Sequence, residues 1–126
     1  MWVFAQATGE LFCDDDLNTP LTIGYSGFGE GKNNPAMQQI HDIGPIPRGY
    51  WTIGTPEDVE TAGPHGPFVL PLTPIDGTMT YGRSGFLIHG DAVNHAGSAS
   101  HGCIILNRHI REDIAASRDQ LLKVIA

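Results

Sequence analysis

Glycine and proline interrupt this chain so often that they limit what it can fold into. Sixteen glycines and nine prolines stand among 126 residues, against a usual combined share of about 12%. Proline presets φ and glycine tolerates positive φ, so the excess favours many turns and few long helices. The glycines follow no three-residue period, which excludes a collagen-like chain. Hydrophobic residues at 40% and charged residues at 17% suffice for a packed core and are unlike a disordered chain. The length suits one domain, and residues 1–126 read as a single unit without repeat, linker or low-complexity tract.

Charge removes several function classes. Seven Lys and Arg oppose fourteen Asp and Glu, a formal net charge of −7. The few basic residues are scattered and offer no footprint for a phosphate backbone, so no nucleic-acid partner is expected. No apolar run approaches the roughly 18 residues that span a bilayer, so no membrane partner is expected either. The first Lys or Arg is Lys32, so the start lacks the basic segment of a secretory signal. Synthesis in the cytoplasm without a signal peptide is the expectation, and work outside it needs another delivery route. Cys13 and Cys103 are too few for a disulfide framework and read as two unpaired thiols.

The pattern predicts a mainly β domain. Residues 2–12 read as two short strands about a turn near Thr8-Gly9, and Leu21–Tyr25 as a third. Asp14, Asp15 and Asp16 form an exposed acidic corner. Asn34-Pro35 caps a short helical turn, and Gly44-Pro45-Ile46-Pro47-Arg48-Gly49 is a rigid turn that feeds a strand at Tyr50–Ile53. Residues 55–66 read as irregular loop with one helical turn at Pro56–Val59. Phe68–Leu72 reads as an edge strand because Pro71 would break a central ladder. Gly85–His89 and Cys103–Leu106 are short apolar runs of the kind buried on both faces. Asn107 caps a C-terminal helix with Ile110 and Ile114 on one face. Ser117 with Gln120 resembles a capping box that restarts a second helix through Leu121, Leu122 and Ile125.

The chemistry-bearing stretch runs from Gly82 to Ile104. A histidine, His89, ends one buried strand, and a cysteine, Cys103, begins the next. If those strands pair, the imidazole comes near the thiol and can serve as its base. Gly102 permits a sharp backbone approach, and the N–H groups of His101, Gly102 and Cys103 can aim at a developing oxyanion. Nucleophile, base and oxyanion donors are the parts of an acyl-transfer site. Two other readings remain open. His89, Asp91, His95, His101 and Cys103 are all metal-ligand types, which allows a metal-dependent peptidase, although no zinc spacing is present. A non-catalytic β domain that binds cell wall or a partner is the other. Cys13 has no such setting and reads as structural, and His41, His65, His95 and His109 as surface residues.

Ser100-His101-Gly102-Cys103, preceded by His89-Gly90 at a strand end, resembles the catalytic signature of the L,D-transpeptidases (the YkuD-like domain). Tyr25-Ser26-Gly27, Asn33-Asn34-Pro35, Gly44–Gly49 and Gly82–Phe86 extend the resemblance to the short branch of type VI secretion effectors, the Tlde-type toxins. The resemblance implies an L,D-transpeptidase-like β-sandwich with one or two C-terminal helices. It implies Cys103 as nucleophile and His89 as base, with the Gly90 carbonyl fixing the tautomer and Ser100, His101 and Gly102 in support. The reaction implied is acyl transfer on peptidoglycan tetrapeptide stems, between meso-diaminopimelate and D-Ala, with water or an amine as acceptor. No cofactor and no metal are implied. Where the family pattern has a polar residue two positions after the cysteine, this chain has Ile105. Arg83 is the substitute candidate for holding substrate carboxylates, with Ser84 and Tyr25 beside it. The resemblance further implies a type VI carrier, delivery into a target periplasm and a cognate immunity protein.

Overall fold

The computed structural model describes residues 1–13, 16–58 and 66–126. Val59, Glu60 and His65 of the expected loop, and Asp14 and Asp15 of the acidic corner, lie outside the described residues. In chain order the strands are β1 (Trp2–Ala5), β2 (Glu10–Cys13), β3 (Thr22–Ile23), β4 (Tyr25–Ser26), β5 (Gly49–Ile53), β6 (Leu70–Pro74), β7 (Leu87–His89), β8 (Ile104–Ile105) and β9 (Leu121–Ile125). Among the described residues one α-helix, α1 (Arg108–Ser117), precedes β9. The strand order is β3-β2-β1-β9-β5-β6-β7-β8-β4.

The two edge strands of that order, β3 and β4, are separated in sequence by Gly24 alone. A chain cannot leave one edge and enter the other within a residue unless the sheet curls until its edges adjoin. The result is a nearly closed, barrel-like sheet in place of the expected sandwich, and it leaves little free edge. The Leu21–Tyr25 strand therefore breaks at Gly24. Gly24 N–H donates to Gly9 O at 2.7 Å, and a Cβ at residue 24 would stand 1.8 Å from Ile105 O. Glycine is required at the seam because backbone fills the space a side chain would take.

Inside the curl lies a core of Phe4, Leu11, Trp51, Leu70, Ile88, Ile104, Ile114, Leu122 and their neighbours. Trp51 is fully buried, and its ring meets Phe86 edge-on at 5.0 Å. Its indole N–H is satisfied by Pro47 O at 3.1 Å, so the largest core side chain brings no unpaired donor inside.

Two expectations are corrected. Residues 121–125 form a strand and not a second helix. Helix α1 ends where Arg118 turns left-handed at φ 61. Ser117 Oγ then donates to Ile114 O and accepts from Asp119 N–H, closing the helix and not restarting one. Leu122 and Val124 are buried and alternate with Lys123, and a slot between β1 and β5 accepts them on both sides. Three apolar residues at mixed spacing satisfied either period. Second, β6 is central, paired to β5 and β7. Its prolines are tolerated because their missing donors fall where pairing has run out. Pro71 O takes Gly54 N–H just past the end of β5, and Pro74 lies beyond the two residues that pair with β7.

The seam yields a stability test. Gly24→Ala must displace the Ile105 carbonyl, an overpacking cost of about 3 kcal/mol. A urea midpoint lowered at unchanged slope would register it; a wild-type midpoint would mean that the edges do not adjoin at residue 24.

Candidate active site

Strands β7 and β8 are parallel neighbours, with Ile88 opposite Ile104 and His89 opposite Ile105. Carried back one residue, that register sets Cys103 beside Leu87, and Leu87 N–H points at Cys103 Sγ across 3.3 Å. Side chains alternate along a strand, so Cys103, Leu87 and His89 share one face and Ile88 and Ile104 share the other. His89 and Cys103 thus project to the same side, and both line one cavity of about 290 Å³. His89 is buried, while Cys103 is half-buried. His89 Nδ1 lies 2.8 Å from Gly90 O. A carbonyl only accepts, so Nδ1 carries the proton and Nε2 is the basic nitrogen of the neutral ring.

The turn before Cys103 is built around Ser100, which is fully buried. Its hydroxyl donates to Cys103 O at 2.5 Å and accepts from Gly27 N–H and Gly102 N–H. Gly102 adopts φ +136, where a side chain would also meet Arg83 Nη2 at 2.5 Å. The Gly102 N–H is therefore already committed to a hydroxyl, which leaves His101 and Cys103 of the three expected oxyanion donors.

A family model described as the Tlde1 domain matches residues 21–125. The chain belongs to that family. It is the type VI secretion, L,D-transpeptidase-like effector domain, whose members act on peptidoglycan. No curated protein and no solved structure matches the chain. Strands β1 and β2 precede the matched segment, yet β1 pairs with β9 inside it.

Arg83 lines the Cys103 cavity but is 7% exposed, and its fork is occupied. Nη1 donates to Gln38 O and Pro45 O, and Nη2 to Gly44 O and His101 O, at 2.6–3.4 Å. Four N–H groups thus tie the segment 38–45 to the turn before Cys103, and the expected grip on a substrate carboxylate meets a guanidinium already spent on backbone. Tyr25 lies outside the Cys103 cavity. Its hydroxyl donates to Asp91 Oδ1 at 2.5 Å and accepts from Ala99 N–H. Burial, then that bond to Asp91, pushes its pKa up to about 12. Ser84 is exposed on the cavity wall. His101 is exposed rather than packed behind the cysteine, stacked on Phe28 and bonded through Nδ1 to Asp42 O at 3.0 Å.

His41, read from sequence as a surface residue, and Asp42, which the sequence reading did not single out, also line the cavity. His41 Nε2 lies 3.0 Å from Tyr81 O, which holds the ring at the rim. Only the fold brings residues 41–42 to residues 101–103, so no local pattern announced them. Among the described residues no group of three or more His, Cys, Asp or Glu stands close enough to hold a metal ion. No helix among the described residues is long and apolar enough to cross a membrane.

Burial pushes the Cys103 thiol above its ordinary range; the Leu87 N–H and the Arg83 charge pull the other way without prevailing. Its proton has an acceptor in Gly85 O, 3.7 Å from Sγ. The resting sulfur is a neutral thiol at pH 7. Iodoacetamide labelling of Cys103 in the folded protein is expected to rise with pH about a midpoint above that of the unfolded chain, and higher still in Arg83→Met. A midpoint at or below the unfolded value would show that a thiolate is held at rest.

Proposed function

We propose that this protein is a cysteine acyl-transferase acting on peptidoglycan tetrapeptide stems, with L,D-carboxypeptidase or L,D-exchange activity between meso-diaminopimelate and D-Ala. The observation that carries the reading is the β7–β8 register, with an imidazole and a thiol on one face of the sheet above one cavity. Family membership supplies the substrate class.

In this mechanism Cys103 Sγ attacks the carbonyl at the L-centre of meso-diaminopimelate as its proton passes to His89 Nε2. A thiol that is neutral at rest needs that base at the moment of attack, because burial disfavours a standing thiolate. Gly90 O holds Nδ1–H throughout, so proton traffic uses Nε2 alone. The oxyanion is met by backbone N–H groups at His101 and Cys103. The carbonyl–nitrogen bond then breaks, D-Ala leaves with the proton from the imidazolium, and a thioester remains on Cys103. Water or an amine gives up a proton to His89, attacks the thioester and frees the thiol.

Acting in a target periplasm, the enzyme would trim or exchange the tetrapeptide donors that wall cross-linking consumes. A type VI carrier would deliver it, and an immunity protein covering the Cys103 cavity would protect the producing cell.

Disaccharide-tetrapeptide digested with wild type and with Cys103→Ala, read by mass spectrometry, tests the proposal. D-Ala release is expected to fall by about 10³-fold or more in Cys103→Ala, and by about 10²–10⁴-fold in His89→Ala. Release unchanged in folded Cys103→Ala would reject the cysteine mechanism.

A further inference from the structure

Arg111 is a buried cation that the proposed chemistry leaves unused. Helix α1 carries it beneath the turn that follows His89, where it is 7% exposed. Its Nε donates to Leu106 O at 3.1 Å, and its Nη1 to Pro67 O at 3.1 Å and Phe68 O at 2.8 Å. These bonds fix the plane of the fork. They leave Nη2 against Gly90, where a Cβ would stand 2.8 Å from it. Among the described residues no carboxylate forms an ion pair with this guanidinium. Burial and the neighbouring Arg108 charge disfavour this guanidinium, and the pull of Glu112 does not outweigh them, so an anion brought to it would be stabilising.

The space in front of Arg111 is a cavity of about 480 Å³, whose walls include His89, Gly90, Asp91, Val93 and Ala99. His89 and Ala99 are also walls of the Cys103 cavity, so the two spaces adjoin at the imidazole. Asp91 brings the opposing charge on this wall, and it is already engaged. Its carboxylate accepts from the Tyr25 hydroxyl, from Ala92 N–H and from Gly97 N–H. The cation is therefore the unspent charge of the cavity.

We propose that Arg111 and this cavity bind the α-carboxylate of the terminal amino acid, the one that leaves from or adds to the Cys103 thioester. The inference rests on the acyl-transfer reading above. The leaving amine takes its proton from His89 and an incoming amine returns one there, so both occupy one place beside the imidazole. In an α-amino acid the carboxylate is one carbon from that nitrogen and must be received within a few ångströms of it. Arg83 has spent its fork on backbone, and Ile105 brings no charge. Arg111 lines the cavity that adjoins His89 and has an N–H to offer there. Specificity for a free C-terminus follows: the enzyme removes or exchanges a terminal residue and ignores one whose carboxyl is capped.

The test compares disaccharide-tetrapeptide with the same stem carrying a C-terminal carboxamide, measuring release of D-Ala or D-alaninamide by wild type and Arg111→Gln. Wild type is expected to favour the carboxylate about tenfold or more in kcat/KM, as a charge-assisted bond to Arg warrants. The preference should shrink to about twofold in Arg111→Gln and recover in part in Arg111→Lys. Equal rates on the two stems in wild type would overturn the inference, and that comparison needs no variant. So would Arg111→Gln slowing both stems alike with the preference kept, since that is the behaviour of a purely structural arginine. Absence of any Cys103-dependent release from either stem would defeat the underlying reading, and the inference with it.

Discussion

The parallel pairing of two very short strands is the constraint on which the site depends. A three-residue strand and a two-residue strand offer few ladder bonds, and parallel pairs are slightly weaker per residue than antiparallel ones. Their register holds because each has a second neighbour. β7 is flanked by β6, and β8 by β4. Register matters more here than at any other pair. A slip of one residue would turn Cys103 into the core and bring Ile104 to the cavity, since side-chain period is two. The buried Ile88 and Ile104, on the face opposite His89, oppose that slip through the hydrophobic cost of exposing them.

The connection between those strands contains no helix, so polar groups in its own backbone have to be satisfied piecemeal. Ser100 does this before the cysteine, with one hydroxyl serving one carbonyl and two N–H groups. Asp91 and Tyr25 do it after the histidine, where the carboxylate gathers the start of the loop and the hydroxyl collects Ala99. Burial alone would raise the Asp91 pKa, yet the bonds from Tyr25, Gly97 and Ala92, with Lys32 nearby, hold it below the ordinary carboxylate range. It stays ionised and keeps accepting at neutral pH. The two buried arginines extend the same logic. A guanidinium can bind four or five backbone oxygens in a fixed plane, which no lysine can do, and Arg83 and Arg111 each tie distant segments to one side of the His89–Cys103 pair.

Much of this was legible in the residues, for reasons that differ by element. The turn at Gly9, the Asn34 and Asn107 caps and the apolar runs around Ile88 and Ile104 are local signals, and local chemistry decides them. Residues 121–125 misled because Leu121, Leu122 and Ile125 fit a helical face as well as a strand; the choice was made by the open slot between β1 and β5, which is a property of the whole sheet. Pro71 misled because a missing donor was taken to require an edge, when it requires only that the partner strand has ended. In the site, the His-Gly and Ser-His-Gly-Cys runs carry their spacing in sequence. Arg83 was visible as a cation but its partners were not, since Gln38, Gly44 and Pro45 are carbonyls and any residue would supply them. Arg111 gave no local sign, because its helix reads as an ordinary amphipathic face.

Closure of the sheet and position of the thiol turn out to be one problem. Gly24 lets the edges meet by lying against the Ile105 carbonyl, and Ile105 is the residue opposite His89. Two residues along, Ser26 Oγ donates to Gly102 O and accepts from Ile46 N–H, so β4 also holds the peptide just before Cys103. The strand that seals the barrel thus grips both ends of the short segment that bears the sulfur. Loosening the seam would move Cys103 relative to His89. The same coupling explains why glycine recurs at positions 24, 90 and 102. At each, backbone or an arginine fork occupies the volume a side chain would need, and the spacing of thiol, imidazole and cavity depends on those approaches being that close.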